Sequence, residues 1–495
     1  MKELIKINTF GGLKKAGYTS KTIKDELRDN LILKIKAKET TFKGILGYEK
    51  TVIPEIQRAI LSRHNINLLG LRGQAKTRIA RQMTELFDEY IPIVEGSEIN
   101  DDPFHPISWH SRNQLEIHGD ETPISWIHRS DRFIEKLATP DVTVADLIGD
   151  IDPIKAANMK ISYADERAIH FGLIPRSNRC IFVINELPDL QARIQVALFN
   201  ILQEGDVQIR GFRMRLPLDI QFVFTANPED YTNRGSIVTP LKDRIQSQIV
   251  THYPKDIETA KKITHQEARL PAEQEAAVRV PELIRDLIEQ ISFEARNSEF
   301  VDSKSGVSAR LSISAYENLV SSAERRTLIN GESKTTARIG DLWGTVSAIN
   351  GKIELVYEGE QEGPVNVAHF LITTSIRSLF VNYFPDPERF KRKKETNPYE
   401  KILNWFNGNE VDLMLDGTKQ DYESKLKSVD GLKDLVNQYY KSLPEEERLL
   451  LMEFVLYGLA AYSQLNRLTL DSSMLFKDLF SSVFNSKNED LTDLN

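Results

Sequence analysis

The chain has 495 residues, enough for about three domains, and its 40% hydrophobic and 27% charged residues are ordinary for a globular protein. Its one cysteine, Cys180, excludes an internal disulfide and a zinc site built from cysteines. The formal net charge of -8 argues against broad nucleic-acid binding.

The first 40 residues, 1–40, predict a short helical N-terminal arm. A helix begins at Ser20–Thr22 and continues through a charged stretch to about Ala37. No apolar run follows the first lysines, so no secretory signal is recognised and we expect a cytoplasmic protein.

Residues 41–256 predict an α/β domain that binds nucleotide. Apolar runs typical of strands covered on both faces alternate there with helices. This alternation predicts a parallel sheet with right-handed crossovers. The predicted strands are 65–69, 91–94, 180–184, 220–224 and 247–250, and the predicted helices between them are 76–90 and 190–203.

The strand signal ends near Pro254, where the sheet domain is expected to give way to helices. Patterns with a helical period occur at 280–299, 312–328 and 336–355. Together they predict a helical lid over residues 257–358.

The C-terminal region, 365–495, follows a predicted linker at 359–364 and is expected to be mostly helical, with no motif that indicates its role. Its apolar stretch 449–465 carries Glu453 and is short for a membrane span. We therefore expect a buried helix there and no membrane span.

A glycine-containing loop joins the first predicted strand to the helix that follows it. Glycines let backbone N–H groups approach a phosphate, and a helix N-terminus attracts anions. We therefore expect Lys76 to bind the β- and γ-phosphates of ATP and Thr77 to bind Mg2+. The alternative is a glycine turn before an ordinary helix, because Ala75 stands where the usual pattern has its last glycine. The loop consists of Gly70, Leu71, Arg72, Gly73, Gln74, Ala75, Lys76 and Thr77.

Polar side chains follow two later strands, at the edge where an open α/β sheet binds its ligands. Glu186 is expected to orient and activate a water that attacks the γ-phosphate, and Asn227 to position that water. Asn185 stands where an acid normally contacts Mg2+. Polar residues after a strand are common, so neither Glu186 nor Asn227 alone is strong evidence for a nucleotide site. The order of the motifs along the chain is what indicates one nucleotide site.

Three arginines are candidates for contacting the γ-phosphate. Arg244, or alternatively Arg234, is expected to act as an arginine finger on the nucleotide of a neighbouring subunit. Arg310 opens a helix of the predicted lid and is expected to report the nucleotide state to it. For each arginine the alternative is a solvated surface charge.

In this order, the motifs make residues 41–330 resemble the magnesium-chelatase motor subunit and the MoxR-type ATPases, a branch of the AAA+ class. Residues 42–48, which include Ile45 and Leu46, resemble the segment that wraps the adenine. Residues 205–218 resemble the hairpin inserted before the asparagine strand, and residues 146–172 resemble an insert that faces the pore.

The resemblance implies a homo-oligomeric ring, a hexamer, with ATP and Mg2+ at the subunit interfaces. It also implies a partner protein with a von Willebrand factor A domain. The residues implied to contact the nucleotide are Ile45, Leu46, Gly70, Gly73, Gln74, Ala75, Lys76, Thr77, Arg78 and Arg310, and those implied to contact the metal are Thr77 and Asn185.

The hypothesis from the sequence is therefore an ATP-driven motor that remodels a partner protein. One alternative is a true metal-chelatase motor. A transcriptional activator is a second, but such proteins carry a Gly-Ala-Phe-Thr-Gly-Ala loop, which this sequence lacks. A third is a nucleotide-dependent switch or scaffold that hydrolyses ATP weakly, which Asn185 keeps open.

Asn185 generates an expectation of its own. An asparagine keeps an acceptor oxygen but loses the negative charge that faces Mg2+. Asn185→Asp is therefore expected to lower the Mg2+ requirement. The competing interpretation is that an aspartate beside Glu186 would repel it and that the substitution gains nothing.

Two further groups of residues are candidate binding sites. His105, His110, His118 and His128 share one insertion with several aspartates, but their spacing fits no standard metal pattern. The basic run 391–394 is expected to be solvated, with a phosphate-rich partner as the minority interpretation.

Overall fold

Short strands and short helices alternate along residues 1–253, which form one of two units; the other comprises residues 254–495. The computed structural model describes residues 4–163, 165–209, 215–228, 236–392, 397–470 and 472–479. The described helices of the first unit are α1 (Phe10–Lys15), α2 (Ile23–Lys36), α3 (Val52–Leu61), α4 (Lys76–Gln82), α5 (Trp109–His118), α6 (Val144–Leu147), α7 (Pro153–Met159), α8 (Leu173–Arg176), α9 (Ala192–Ala197), α10 (Phe199–Glu204) and α11 (Thr239–Arg244). Its described strands are β1 (Ile66–Leu69), β2 (Tyr90–Val94), β3 (Ile124–His128), β4 (Phe133–Leu137), β5 (Gly149–Ile151), β6 (Ile169–Phe171), β7 (Ile181–Asn185), β8 (Asp206–Gln208), β9 (Arg215–Pro217), β10 (Gln221–Ala226) and β11 (Ser247–Val250).

The predicted parallel sheet is confirmed. Its five strands have the order β11-β1-β10-β7-β4, and each neighbouring pair is parallel. The register pairs Leu69 with Ala226 and Phe224 with Ile184, so these strands end at one edge. The residues after β1, β7 and β10 therefore meet at that edge.

Apolar side chains cover both faces of this sheet, as the continuous apolar runs predict. On one face Leu27 of α2, Ile56 of α3 and Ile79 of α4 pack in one cluster with Val183. On the other face α9, α10 and α11 pack in a second cluster with Phe182 and its neighbours. Helix α4, which the predicted phosphate loop opens, thus lies on the face that carries Val183.

The prediction for 91–94 was wrong about which sheet this segment joins. It forms β2, which pairs antiparallel with β3 outside the five-stranded sheet. The edge position in that sheet is taken by β4, which pairs with β7. Strand β4 carries Glu135 and Lys136 among its apolar residues, which hides it from a search for continuous apolar runs.

Other elements follow the predictions with small differences. Within the hairpin expected at 205–218, β8 and β9 pair antiparallel, and residues 210–214 between them lie outside the described residues. The helix expected at 190–203 is divided into α9 and α10 at Leu198, and the one expected at 76–90 ends as an α-helix at Gln82 and continues as a 3-10 helix, Met83–Leu86.

The second unit is mostly helical. Helices predicted at 280–299 and 312–328 are observed, whereas 336–355 contains only the short 3-10 helix Ile339–Thr345 and one short α-helix. The described helices are α12 (Ile257–Glu267), α13 (Ala272–Ala277), α14 (Glu282–Asn297), α15 (Arg310–Asn330), α16 (Val346–Asn350), α17 (Tyr357–Glu362), α18 (Pro364–Tyr383), α19 (Arg389–Arg392), α20 (Glu400–Trp405), α21 (Lys419–Ser428), α22 (Leu432–Tyr439) and α23 (Glu445–Ala461). The described strands are β12 (Val278–Arg279), β13 (Thr335–Thr336), β14 (Val411–Met414), β15 (Asn466–Thr469) and β16 (Ser473–Lys477).

The C-terminal region contains a small antiparallel sheet, β14-β16-β15, that was not predicted. The apolar stretch 449–465 lies largely in α23 and is buried, as expected. Glu453 within it accepts hydrogen bonds from Ile339 N (2.8 Å) and Tyr422 Oη (2.8 Å). Across the part of the chain that the structure describes, no helix combines the length and the apolarity that a membrane crossing requires.

Helix α2 is joined to the sheet unit by a buried ion pair. The Arg132 guanidinium donates to both carboxylate oxygens of Glu26, over 2.7 and 2.6 Å. It also lies over the Phe87 ring, 3.9 Å from the centroid. The side chains of Arg132 and Glu26 are 1% and 5% exposed, so each charge depends on the other for compensation.

We predict that Arg132→Ala lowers the free energy of unfolding by about 3–5 kcal/mol, because it leaves the Glu26 carboxylate buried without its partner. Chemical denaturation of the full chain measures the change. Lys14→Ala is the matched control: its pair with Asp120 is largely exposed, and its loss should cost less than about 1 kcal/mol. Equal effects of the two substitutions would contradict the prediction.

Candidate functional site

The glycine-containing loop runs from the end of β1 into α4 in a conformation that its small residues permit. A Cβ atom on Gly70 would lie 1.9 Å from Thr251 Oγ1 and 2.2 Å from Gln74 Oε1, so glycine is required there. Gly73 and Ala75 both have positive φ, 73° and 59°. Ala75 thus adopts the left-handed conformation that glycine favours, at a cost of about 1–2 kcal/mol.

The Lys76 ammonium is buried at the start of α4 and is surrounded by oxygens. Lys76 as a whole is 8% exposed. The ammonium donates to the carbonyl oxygen of Gly70, to that of Leu71 over 3.1 Å and to Asn227 Oδ1 over 2.7 Å. The loop and the end of β10 are therefore linked through one cation.

Asn227 in turn links Lys76 to Glu186. Its Nδ2 donates to Glu186 Oε2 over 2.8 Å. Glu186 follows β7 with a φ of 54°, and its backbone N–H donates to Thr225 Oγ1 over 3.1 Å. The structure thus brings the predicted cation, amide and acid into one hydrogen-bonded chain, Lys76–Asn227–Glu186.

The side chain of Asn185 is engaged at both ends of its amide. Thr225 Oγ1 donates to its Oδ1 over 3.1 Å, and its Nδ2 donates to Glu135 Oε1. Glu135 also pairs with Arg81 of α4, with 3.0 Å between Oε2 and Nη2. Glu135 was not predicted as a site residue because the strand β4 was not predicted. Only the pairing of β4 with β7 brings Glu135 next to Asn185.

The predicted adenine-binding segment contacts the loop. Tyr48 Oη lies 3.2 Å from the carbonyl oxygen of Gln74 and donates to that of His252 over 2.7 Å. Burial raises the pKa of Tyr48 to about 12, so its hydroxyl stays a donor. Ile45 in the same segment is buried and Leu46 is half-buried. Tyr48 was not predicted as a site residue, and its role is to hold this segment against the loop.

Residues after β11 also support the loop. Thr251 Oγ1 donates to Gln74 Oε1 over 2.6 Å, and Tyr253 Oη donates to the carbonyl oxygen of Arg72 over 3.0 Å. Thr77 lies in the first turn of α4, and Arg78 after it is exposed. The residues after β11 thus hold the loop that precedes Thr77.

Of the three predicted arginines, Arg244 is the one whose contacts the structure describes within the sheet unit. Arg244 donates to Gln203 Oε1 and to the Pro240 carbonyl oxygen, both over 2.8 Å, and lies 4.9 Å from the Phe199 ring centroid. Arg234 lies outside the described residues. Arg310 is the first residue of α15 in the second unit. Their roles toward a nucleotide stay predictions.

The histidine-rich insertion has separate contacts. His110 Nε2 lies 3.0 Å from the Glu95 carbonyl oxygen, His128 Nδ1 lies 2.7 Å from Ser130 Oγ and His105 Nδ1 lies 3.5 Å from Asp102. Among the described residues, no three histidine, cysteine, aspartate or glutamate side chains are grouped to hold a metal ion. The basic run 391–394 lies outside the residues whose side chains are described.

The residues of the loop edge fit a nucleoside triphosphate with Mg2+. Gly70 and the positive φ of Gly73 and Ala75 allow the backbone to pass close to phosphates at the start of α4. Lys76 is a cation that donates there to carbonyl and amide oxygens, which phosphate oxygens are able to replace. Thr77 and Asn185 provide neutral oxygen ligands of the kind that Mg2+ accepts alongside phosphate.

Comparison with known proteins gives one curated relative at a significant level. The chain is 26% identical over 230 residues to the magnesium-chelatase 38 kDa subunit of Cereibacter sphaeroides, a match that covers 44% of this chain and 60% of the relative. The chain thus spans about 60% of that relative's length. No family model matches.

Solved structures are also similar to this chain. A crystal structure of an ATPase from Cytophaga hutchinsonii is 18% identical, covering 71% of this chain and 95% of its own, with a TM-score of 0.30. A complex between subunits BchI and BchD of magnesium chelatase is 19% identical, covering 65% of this chain and 98% of its own, with a TM-score of 0.34.

Proposed function

We propose that this chain, which resembles the AAA+ ATPases of the magnesium-chelatase and MoxR-type branch, binds Mg-ATP and hydrolyses it to drive changes in a partner protein. The observation that carries the proposal is the chain Lys76–Asn227–Glu186 at the carboxyl edge of the parallel sheet. It joins a phosphate-binding cation to a carboxylate through the amide between them.

Each member of this chain has a role in the proposed reaction. Lys76 and the N–H groups at the start of α4 hold the β- and γ-phosphates. Glu186 orients the attacking water and accepts its proton, while Asn227 fixes the position of the carboxylate. Thr77 and Asn185 are the residues that would hold Mg2+, whose positive charge would neutralise the phosphate oxygens.

The assembly that we propose is a homo-oligomeric ring, a hexamer in the cytoplasm, with one nucleotide at each subunit interface. Arg244 supports this proposal because its contacts are with Gln203 and Phe199 and not with the Lys76–Asn227–Glu186 chain of its own subunit. In a ring it acts on the nucleotide of the neighbour. The partner that we propose contains a von Willebrand factor A domain.

A second candidate function is a nucleotide-dependent switch or scaffold with weak hydrolysis. The observation in its favour is Asn185, which is neutral where an acid would face the metal. Steady-state ATPase activity with Mg2+ separates the two candidates: multiple turnovers support the motor, and binding without turnover supports the switch.

We predict that Lys76→Ala weakens ATP binding roughly 100-fold while the fold is kept, because the substitution removes charge-assisted hydrogen bonds to phosphate. Calorimetric titration with ATP measures the affinity, and thermal unfolding monitors the fold. Lys50→Ala, an exposed lysine before α3, is the control and should bind as the parent does. Parental affinity in Lys76→Ala would remove the phosphate-loop assignment.

We predict that Glu186→Gln binds ATP with parental affinity but hydrolyses it at least about 100-fold more slowly. The reason is that glutamine cannot accept the proton of the attacking water. Release of inorganic phosphate measures turnover. Glu89→Gln, at an exposed glutamate before β2, should hydrolyse at the parental rate. If Glu186→Gln also keeps that rate, another residue activates the water.

We predict that Arg244→Ala binds ATP but loses hydrolysis by at least about 1000-fold, the usual contribution of an arginine finger. Mixing it with Lys76→Ala subunits should restore part of the activity, since each subunit supplies what the other lacks. Lys242→Ala on the same helix is the control and should be active alone. Absence of recovery in confirmed mixed assemblies would contradict action between subunits.

A further inference from the structure

The amide of Asn185 is held in one orientation by two neighbouring strands. Its Oδ1 accepts from Thr225 of β10, and its Nδ2 donates to Glu135 of β4. In the sheet order, β10 lies between β7 and β1, whereas β4 lies on the opposite side of β7. The oxygen of Asn185 therefore faces the strand side that carries the glycine loop, and its nitrogen faces away.

Glu135 lies on the same face of the sheet as the phosphate-loop helix. Phe133, two residues earlier on β4, packs against the cluster that contains Ile79 of α4. Glu135 itself pairs with Arg81, and Arg81 lies 5.6 Å from the Phe133 ring centroid. Thr77 is four residues before Arg81 and so lies on the same side of α4, one turn nearer the loop.

We propose that Glu135 is a positioning residue for the Mg2+ of the nucleotide site. A carboxylate only accepts hydrogen bonds, so it draws the N–H2 end of Asn185 toward itself and leaves the amide oxygen turned toward the metal side. The negative charge of Glu135 also compensates for the carboxylate that is missing at position 185. This inference rests on the proposed function, because it concerns the same nucleotide site.

The arrangement changes what is expected of an aspartate at position 185. In Asn185→Asp a second carboxylate would face Glu135, and the hydrogen bond between them would be replaced by repulsion. The substitution alone should therefore not lower the Mg2+ requirement, in contrast to the expectation from the sequence. Exchanging both residues, in Asn185→Asp/Glu135→Gln, restores one acid and one amide with a donor between them.

The experiment measures ATP affinity by calorimetry as a function of Mg2+ concentration, with a magnesium-free arm. We expect Glu135→Gln to raise the Mg2+ concentration at the midpoint roughly tenfold, as for other residues that orient a metal ligand. Magnesium-free binding should change less than about twofold, which also shows that the site is folded. Mn2+ bound with ATP, followed by electron paramagnetic resonance, gives a second readout that needs no turnover.

Two controls separate a metal role from a structural one. Arg81→Gln breaks the same ion pair but keeps the Glu135 charge, so its Mg2+ midpoint should not rise. Glu85→Gln breaks a comparable pair, with 3.1 Å between Glu85 Oε2 and Arg129 Nη2, away from Asn185. The double exchange Asn185→Asp/Glu135→Gln should bring the midpoint to within about threefold of the parent.

The outcomes distinguish this inference from the proposed function. If the parent chain binds no ATP at any Mg2+ concentration, both are overturned. If the parent binds ATP but Glu135→Gln shifts the Mg2+ midpoint no more than Arg81→Gln or Glu85→Gln does, only the role of Glu135 is overturned. The role of Glu135 is also overturned if the double exchange does not lower the Mg2+ midpoint relative to Asn185→Asp.

Discussion

The burial of the Lys76 ammonium is the constraint on which the loop edge of the sheet depends. A buried cation is costly unless polar atoms replace its water, and here carbonyl oxygens of the loop and Asn227 Oδ1 do so. Gly70 allows the loop to pass close to Thr251, because a Cβ atom there would lie 1.9 Å from Thr251 Oγ1. The amide nitrogen of Asn227 donates in turn to Glu186 Oε2. The position of the acid thus follows from the need to solvate a lysine at the start of α4, after a different strand.

The parallel sheet makes this chain of contacts possible. Lys76 follows β1, Asn227 follows β10 and Glu186 follows β7, and these three strands are adjacent in the order β1-β10-β7. Neighbouring parallel strands end about 5 Å apart, so the residues after them come within the reach of one amide side chain. A different strand order would separate the lysine from the acid. Helix α4 and the apolar residues on both faces hold the strands in this order.

Much of this edge was predictable because its signals are local in sequence. The glycines, Lys76 and Thr77 lie within one loop, and Glu186 and Asn227 each follow a continuous apolar run. The parts that were missed depend on contacts between distant residues. Glu135 lies on an edge strand with charged residues, and its position beside Asn185 follows only from the register of β4 with β7. The pair between Glu26 and Arg132 joins residues 106 positions apart, and no local pattern marks it.

Asn185 illustrates why the charge at a site is a property of the neighbourhood and not of one position. Glu186 follows it directly, and Glu135 accepts its N–H from the next strand. Two unit charges 4 Å apart interact by about 4 kcal/mol at the effective dielectric of a partly buried site. An aspartate at 185 would meet that repulsion and would also remove the donor that Asn185 provides to Glu135 Oε1. An amide avoids both costs, because one end accepts from Thr225 while the other donates to Glu135. Arg81 offsets part of the Glu135 charge from the side of α4. The neutral Asn185 therefore does not leave the end of β7 without a negative charge nearby, because the adjacent strand provides the Glu135 carboxylate.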